Sequence, residues 1–177
     1  KKIKYASFEG PSEYISSPVY HQGKVICLIG QDPEHGEGVG RMTCVDAVTG
    51  KLAWDYTEIE RGISTASVAD GLVYAADYRG RVHCVDFKTG EKQWMFDTKS
   101  HIWGSTLVAD GKVFIGNEDG EVVILKHGRK LEEVGLIEFS APVYASPIVA
   151  NDVLYIASQT NLYAFAKKGK AGKTAAK

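Results

Sequence analysis

The chain has 177 residues, 44% apolar and 24% charged, and its 21 Lys and Arg against 22 Asp and Glu leave a net charge of −1. That length and apolar content suit a globular domain with a sizeable core. The near-neutral balance argues against a nucleic-acid partner, and no apolar run approaches the roughly 20 residues of a membrane-spanning helix.

The first predicted strand is Ile3–Ser7. A pattern then follows that occurs four times: a short apolar run, a two-residue polar turn, and a second apolar run. It occupies Ser17–Val25, Ala66–Val73, Thr106–Val113 and Pro147–Val153, with turns at Gln22-Gly23, Asp70-Gly71, Asp110-Gly111 and Asn151-Asp152. Asp-Gly between β-branched runs predicts a hairpin, because the turn needs positive φ at both central residues. Asn and Asp tolerate the same geometry. A third apolar strand follows each hairpin, at Met42–Asp46, Val82–Asp86, Val122–Lys126 and Leu162–Ala166. The column through Cys44, Cys84, Ile124 and Ala164 recurs every 40 residues. In the first two units one phrase then repeats, Asp46 to Trp54 and Asp86 to Trp94, leading through a Thr-Gly turn into a fourth strand. Val134 holds the Trp position in the third unit, and Tyr5 holds it in the N-terminal strand.

No stretch keeps a 3.6-residue apolar period, so the chain is read as all-β. Four antiparallel strands in about 40 residues is the size of a β-propeller blade. The propeller is read over residues 1–166, with blades near 8–56, 57–97, 98–138 and 139–166, the last having three strands. Residues 167–177, mostly Lys, Gly and Ala, read as a disordered basic tail.

The phrase Asp-x-x-Thr-Gly-x-x-x-Trp resembles the tryptophan-docking repeat of the pyrroloquinoline-quinone-like (PQQ-like) propellers, and the resemblance spans most of Ile3–Ala166. It implies that the Trp of one blade packs against the next, which gives Asp46, Gly50, Trp54, Asp86, Gly90 and Trp94 a structural docking role. This chain departs from the pattern in two ways. Cys44 and Cys84 stand where the family usually has Ala, and Lys126–Lys130 replaces the turn of the third unit, leaving its docking open. The resemblance also implies that strand 3–7 pairs into the last blade as a closing strand. Such propellers usually have seven or eight blades, so four imply a half or a fragment of an eight-bladed ring. Either the chain is cut from a longer one, or two copies form a homodimer that completes the ring.

In a propeller the loops entering the first strands and those joining strands two and three share one face, where binding residues usually sit. Candidates for a ligand or partner on that face are Tyr14, His35, Arg61, Arg79, His101, Trp103, Asn117 and Tyr144. The insert Gln31–Arg41, with Asp32, Glu34, His35 and Glu37, matches no established cation site and reads as a solvated Gly-rich loop. Residues 117–121 read as a turn rather than a calcium loop. Trp103 either stacks a ligand over the channel mouth or fills the gap between blades, the second being favoured. Arg41, Arg61 and Arg79 either form a positive rim on that face or are scattered solvated charges, the second being favoured. His83 reads as a partly exposed sheet residue. Cys27, Cys44 and Cys84 read as buried apolar thiols, with a Cys27–Cys44 bridge open but not indicated.

No nucleophile–base constellation appears in the sequence. By the resemblance, one expectation is a non-catalytic scaffold of the cell envelope or periplasm, without cofactor, holding a protein or peptide partner as the lipoproteins that assemble outer-membrane β-barrels do. The other is part of a dehydrogenase that uses pyrroloquinoline quinone with calcium. Those enzymes carry an adjacent Cys-Cys pair, which this chain lacks.

Overall fold

The computed structural model describes residues 12–13, 15–31 and 38–167. Strand 3–7, Tyr14, His35 and the rest of the acidic insert 32–37, and the tail from residue 168 lie outside the described residues. The chain is all-β, with four antiparallel sheets and no helix among the described residues. Blade I contains β1 (Ser12–Glu13), β2 (Val19–His21), β3 (Lys24–Gln31), β4 (Gly40–Asp46) and β5 (Leu52–Tyr56), with β1 and β2 sharing one edge of β3. Blade II runs β6 (Ser67–Ala69), β7 (Leu72–Ala76), β8 (Arg81–Asp86), β9 (Lys92–Asp97). Blade III repeats this order in β10 (Leu107–Ala109), β11 (Lys112–Gly116), β12 (Glu121–Lys126) and β13 (Glu133–Glu138). Blade IV has three strands, β14 (Ile148–Ala150), β15 (Val153–Ala157) and β16 (Leu162–Ala166).

The turn chemistry that predicts the hairpins also builds them. Both central residues have positive φ in every first turn: 43° and 77° at Gln22-Gly23, 46° and 74° at Asp70-Gly71, 49° and 69° at Asp110-Gly111, 52° and 63° at Asn151-Asp152. That twist matches the twist of the strands and closes each hairpin in two residues. The Thr-Gly turns are fixed by their aspartates. Asp86 Oδ1 accepts hydrogen bonds from Lys88 N (2.8 Å) and Thr89 N (3.0 Å), and Asp46 Oδ1 accepts from Val48 N (3.1 Å) and Thr49 N (2.6 Å).

Packing occurs blade against blade, so inner strands bury both faces. Every residue of β7 is buried, and β8 is buried except at its two ends. His83 is therefore 1% exposed, not partly exposed as the alternation of β8 suggests. Alternation marks a solvent face only in a sheet that has one.

Three apolar clusters join the blades in sequence. Ile26, Leu28, Met42, Cys44, Trp54 and Tyr56 of blade I meet Val73, Ala75, Val85 and Phe87 of blade II. The same columns recur between blades II and III and between blades III and IV. Cys44 and Cys84 occupy these seams as free thiols, and burial raises their pKa values to about 11 and about 12. Cys27 is also free. It lies opposite Thr43, while Cys44 lies opposite Ile26, so the two thiols point to opposite faces of the sheet and form no bridge.

Each docking Trp reaches the next blade. Trp54 Nε1 donates to Phe87 O (2.8 Å), and its ring covers Gly90, where a Cβ would lie 2.8 Å from Trp54 Cδ2. Trp94 Nε1 donates to Gly128 O (2.8 Å), so docking persists in the third unit despite its altered turn. Other side chains fix that turn. Tyr74 OH accepts from Gly128 N (3.0 Å) and lies 2.8 Å from His127 Nδ1, whose Nε2 lies 3.0 Å from Asp70 Oδ2. Arg129 reaches back to Asp86 (2.6 Å) and Gln93 (3.0 Å), and this contact holds the Asp86 carboxyl below its ordinary pKa.

Among the described residues no further sheet packs on the last face in the series. Strand registers place Ile148, Ala150, Val153, Tyr155 and Ala164 on the far side of blade IV, with Leu162 on the same side opposite Ala157. Ile148 is 56% exposed and Leu162 70% exposed, whereas the equivalent positions of blade III, Leu107 and Val122, pack against blade IV.

Candidate functional site

The loops expected to share a face do so through backbone hydrogen bonds. Tyr78 N donates to Arg61 O (2.8 Å), Glu118 N to His101 O (2.9 Å), Val143 N to Asn117 O (3.0 Å) and Gln159 N to Pro142 O (2.7 Å). Beneath them runs a rail of hydroxyls that the sequence reading missed. Ser17 N donates to Thr65 Oγ1 (3.1 Å), Thr65 N to Ser105 Oγ (2.9 Å), and Ser105 N to Ser146 Oγ (2.8 Å). Their recurrence with the blade period is the signal that identifies them.

Two buried turn residues anchor the loops from below. Asp77 Oδ1 accepts from Arg81 N (3.0 Å), and its Oδ2 meets Glu60 N (3.3 Å) and His83 Nε2 (3.0 Å). Asn117, the equivalent residue in blade III, accepts from Glu121 N (2.9 Å) and donates to Glu121 Oε2 (2.8 Å). Asn117 is thus a turn anchor rather than an open surface residue. His83 Nδ1 lies 3.1 Å from Tyr56 OH, completing a Tyr56–His83–Asp77 line from blade I into blade II. Burial, followed by the charges of Glu58 and Asp77, raises the Tyr56 phenol far above its ordinary pKa. All three side chains are enclosed, so the line is a latch between blades with no access for a substrate.

The surface above is aromatic and charged. Tyr78 stacks with His101, with ring centroids 4.5 Å apart and an interplanar angle of 16°. Trp103 sits edge-on to Tyr78 at 5.1 Å and edge-on to Tyr144 at 5.8 Å. Glu118 closes the circuit, 3.2 Å from His101 Nδ1 and accepting from Tyr144 OH at 3.4 Å. Desolvation first, and the Glu118 charge second, raise the Tyr144 phenol. Trp103 thus bridges the loops of neighbouring blades through Tyr78 and Tyr144, and it remains 43% exposed, beside Tyr144 at 38%.

The three arginines do not act as one rim. Arg41 pairs with Asp55 (3.5 Å), Arg79 with Glu60 (3.2 Å), and Arg61 lies over the Tyr78 ring at 5.6 Å. Of the candidates, the fold brings Arg61, His101, Trp103 and Tyr144 together around Tyr78 and Glu118. Arg79 lies alongside, lining a surface pocket with Lys99, Ser100, His101, Glu118 and Asp119. Among the described residues no group of three or more His, Cys, Asp or Glu is placed to hold a metal ion.

A family model described as outer membrane protein assembly factor BamB matches residues 13–174. No curated protein matches the sequence significantly. Among solved structures, BamB from Moraxella catarrhalis is similar at a TM-score of 0.68 and 16% identity, over 83% of this chain and 41% of that one. The computationally designed Ika4 protein is similar at 0.69 and 13% identity, over 94% of this chain and 98% of that one. Quinohemoprotein alcohol dehydrogenase ADHIIG from Pseudomonas putida HK5 is similar at 0.65 and 20% identity, over 84% of this chain and 29% of that one. The chain thus spans less than half of the BamB structure and less than a third of the dehydrogenase.

Proposed function

This chain belongs to the PQQ-like repeat family of outer membrane protein assembly factor BamB, and on that premise we propose that it is a non-catalytic scaffold of the cell envelope. Its loop face holds a protein or peptide partner. The exposed Trp103–Tyr144 pair, fixed on a platform of loop-to-loop hydrogen bonds, supports this reading. Aromatic residues on a rigid base bury large area at low entropic cost and are favoured interface anchors. The description of the family model, an assembly factor for outer membrane proteins, supports an envelope setting and a protein as the partner.

A second copy is the partner we assign to the open face of blade IV. That face repeats the apolar columns that are covered at each earlier seam. Blade I offers the matching device. Its Asp46–Gly50 turn has Gly50 at φ 70° and Ala47 N bonded to Gly23 O (2.8 Å), as the turn that receives Trp54 has Gly90 at 75° and Phe87 N bonded to Gly71 O (2.9 Å). Two copies meeting in this way would close one eight-bladed ring with two-fold symmetry.

Site-specific photocrosslinking in the native cells tests the loop-face reading. A benzophenone side chain at position 103 or 144 is expected to give a discrete protein adduct, and one at Val48, exposed on the opposite face, none. No adduct at 103 and 144, or equal adducts at 48, contradicts the reading. Dye reduction by the purified chain with pyrroloquinoline quinone, calcium and an alcohol would contradict the non-catalytic part and favour the dehydrogenase alternative.

A further inference from the structure

The circuit on the loop face has a chemical preference. Its aromatic rings present electron-rich faces, and Glu118 adds a carboxylate between His101 and Tyr144. Asp119 lies on the wall of the same surface pocket. The nearby cations are already held within the chain: Arg79 by Glu60 (3.2 Å) and Lys99 by Asp97 (2.6 Å). At Trp103 and Tyr144 the surface is thus aromatic, with the Glu118 carboxylate beside it. One neighbouring contact shows what such a surface accepts, since the Arg61 guanidinium lies 5.6 Å from the Tyr78 ring centroid.

We propose that the corner formed by Trp103, Tyr144 and Glu118 is a recognition site for a guanidinium group, the side chain of an arginine on the partner. The proposal rests on the loop-face reading above and names the chemistry recognised there. A guanidinium is planar and weakly hydrated, stacks on aromatic faces and presents a fork to a carboxylate. A lysine ammonium satisfies the charge but not the stacking and fork together. An acidic side chain would face Glu118 and Asp119.

The test is a titration of the isotopically labelled whole chain with capped Gly-Arg-Gly, Gly-Lys-Gly and Gly-citrulline-Gly peptides, followed at the Trp103 indole N–H resonance. A Trp103→Phe variant assigns that resonance. Citrulline keeps the shape of arginine and removes its charge. The arginine peptide is expected to shift the resonance saturably and the citrulline peptide to bind at least about five-fold more weakly, with lysine between them. Glu118→Gln is expected to weaken the arginine peptide about three- to ten-fold while leaving the spectrum folded. Equal binding of arginine and citrulline peptides, or no shift at Trp103 in a folded chain, overturns the proposal. If crosslinks form at 103 and 144 while the peptides fail to discriminate, the guanidinium is wrong and the face stands. If neither is seen, the face itself is wrong.

Discussion

Trp54→Ala is expected to lower the free energy of unfolding by about 3–5 kcal/mol, the usual cost of truncating a buried Trp. The residue is 6% exposed and sits in the seam between blades I and II. Truncation opens a cavity there and also leaves the Phe87 carbonyl without its 2.8 Å donor. Both effects act on an interface, so the whole arc should lose cooperativity rather than one hairpin. Gly90 gives a second, coupled readout. An alanine there suffers the left-handed φ of 75° and a Cβ 2.8 Å from the Trp54 ring. In the Trp54→Ala background the ring is gone and only the backbone term remains, about 1–2 kcal/mol. The Gly90→Ala penalty should therefore shrink in the double mutant. Denaturant melts showing a loss below about 1 kcal/mol for Trp54→Ala would contradict the docking account.

Asp77→Ala is expected to cost a similar amount, about 3–5 kcal/mol, by a different route. The carboxylate is fully buried and serves three donors: Arg81 N, Glu60 N and His83 Nε2. Removing it strands all three at the base of the loop face, and His83 loses the partner that orients it toward Tyr56. Asp77→Asn keeps the turn acceptor, as Asn117 does in blade III, and should cost only about 1–2 kcal/mol. The order Ala worse than Asn, read from denaturant midpoints, checks the latch. Equal losses, or an Ala variant within about 1 kcal/mol of wild type, would show that the buried line carries little.

The sequence made the blades legible because their information is local. Turn residues at Asp70-Gly71 and Asp110-Gly111 dictate φ, and the phrase ending in Trp54 carries both the ring and, one period on, the glycine it covers. What depends on contacts between blades was not legible. His83 alternates like an exposed residue, yet a neighbouring blade covers each face of β8. The third unit lacks the docking phrase, yet Trp94 still docks, because its acceptor is the Gly128 backbone carbonyl and needs no particular side chain. Trp103 and Tyr144 stood out as loop aromatics. Their union with Tyr78 and Glu118 came from loop pairing that no single segment encodes. The hydroxyl rail was readable in principle, since Ser17, Thr65, Ser105 and Ser146 follow one another at intervals of 48, 40 and 41.

Blades I to IV are joined by three apolar seams, and the far side of blade IV presents the columns for another. An apolar sheet face of this kind marks an interaction surface. Light scattering on the purified chain measures directly whether a second copy covers it. The arrangement of an arc closed by its own kind predicts a particle of twice 19.3 kDa, and Leu162→Arg, at the most exposed apolar residue of that side, should return it to single-chain mass. A wild-type chain that stays at 19.3 kDa across the concentrations tested would contradict the two-copy ring.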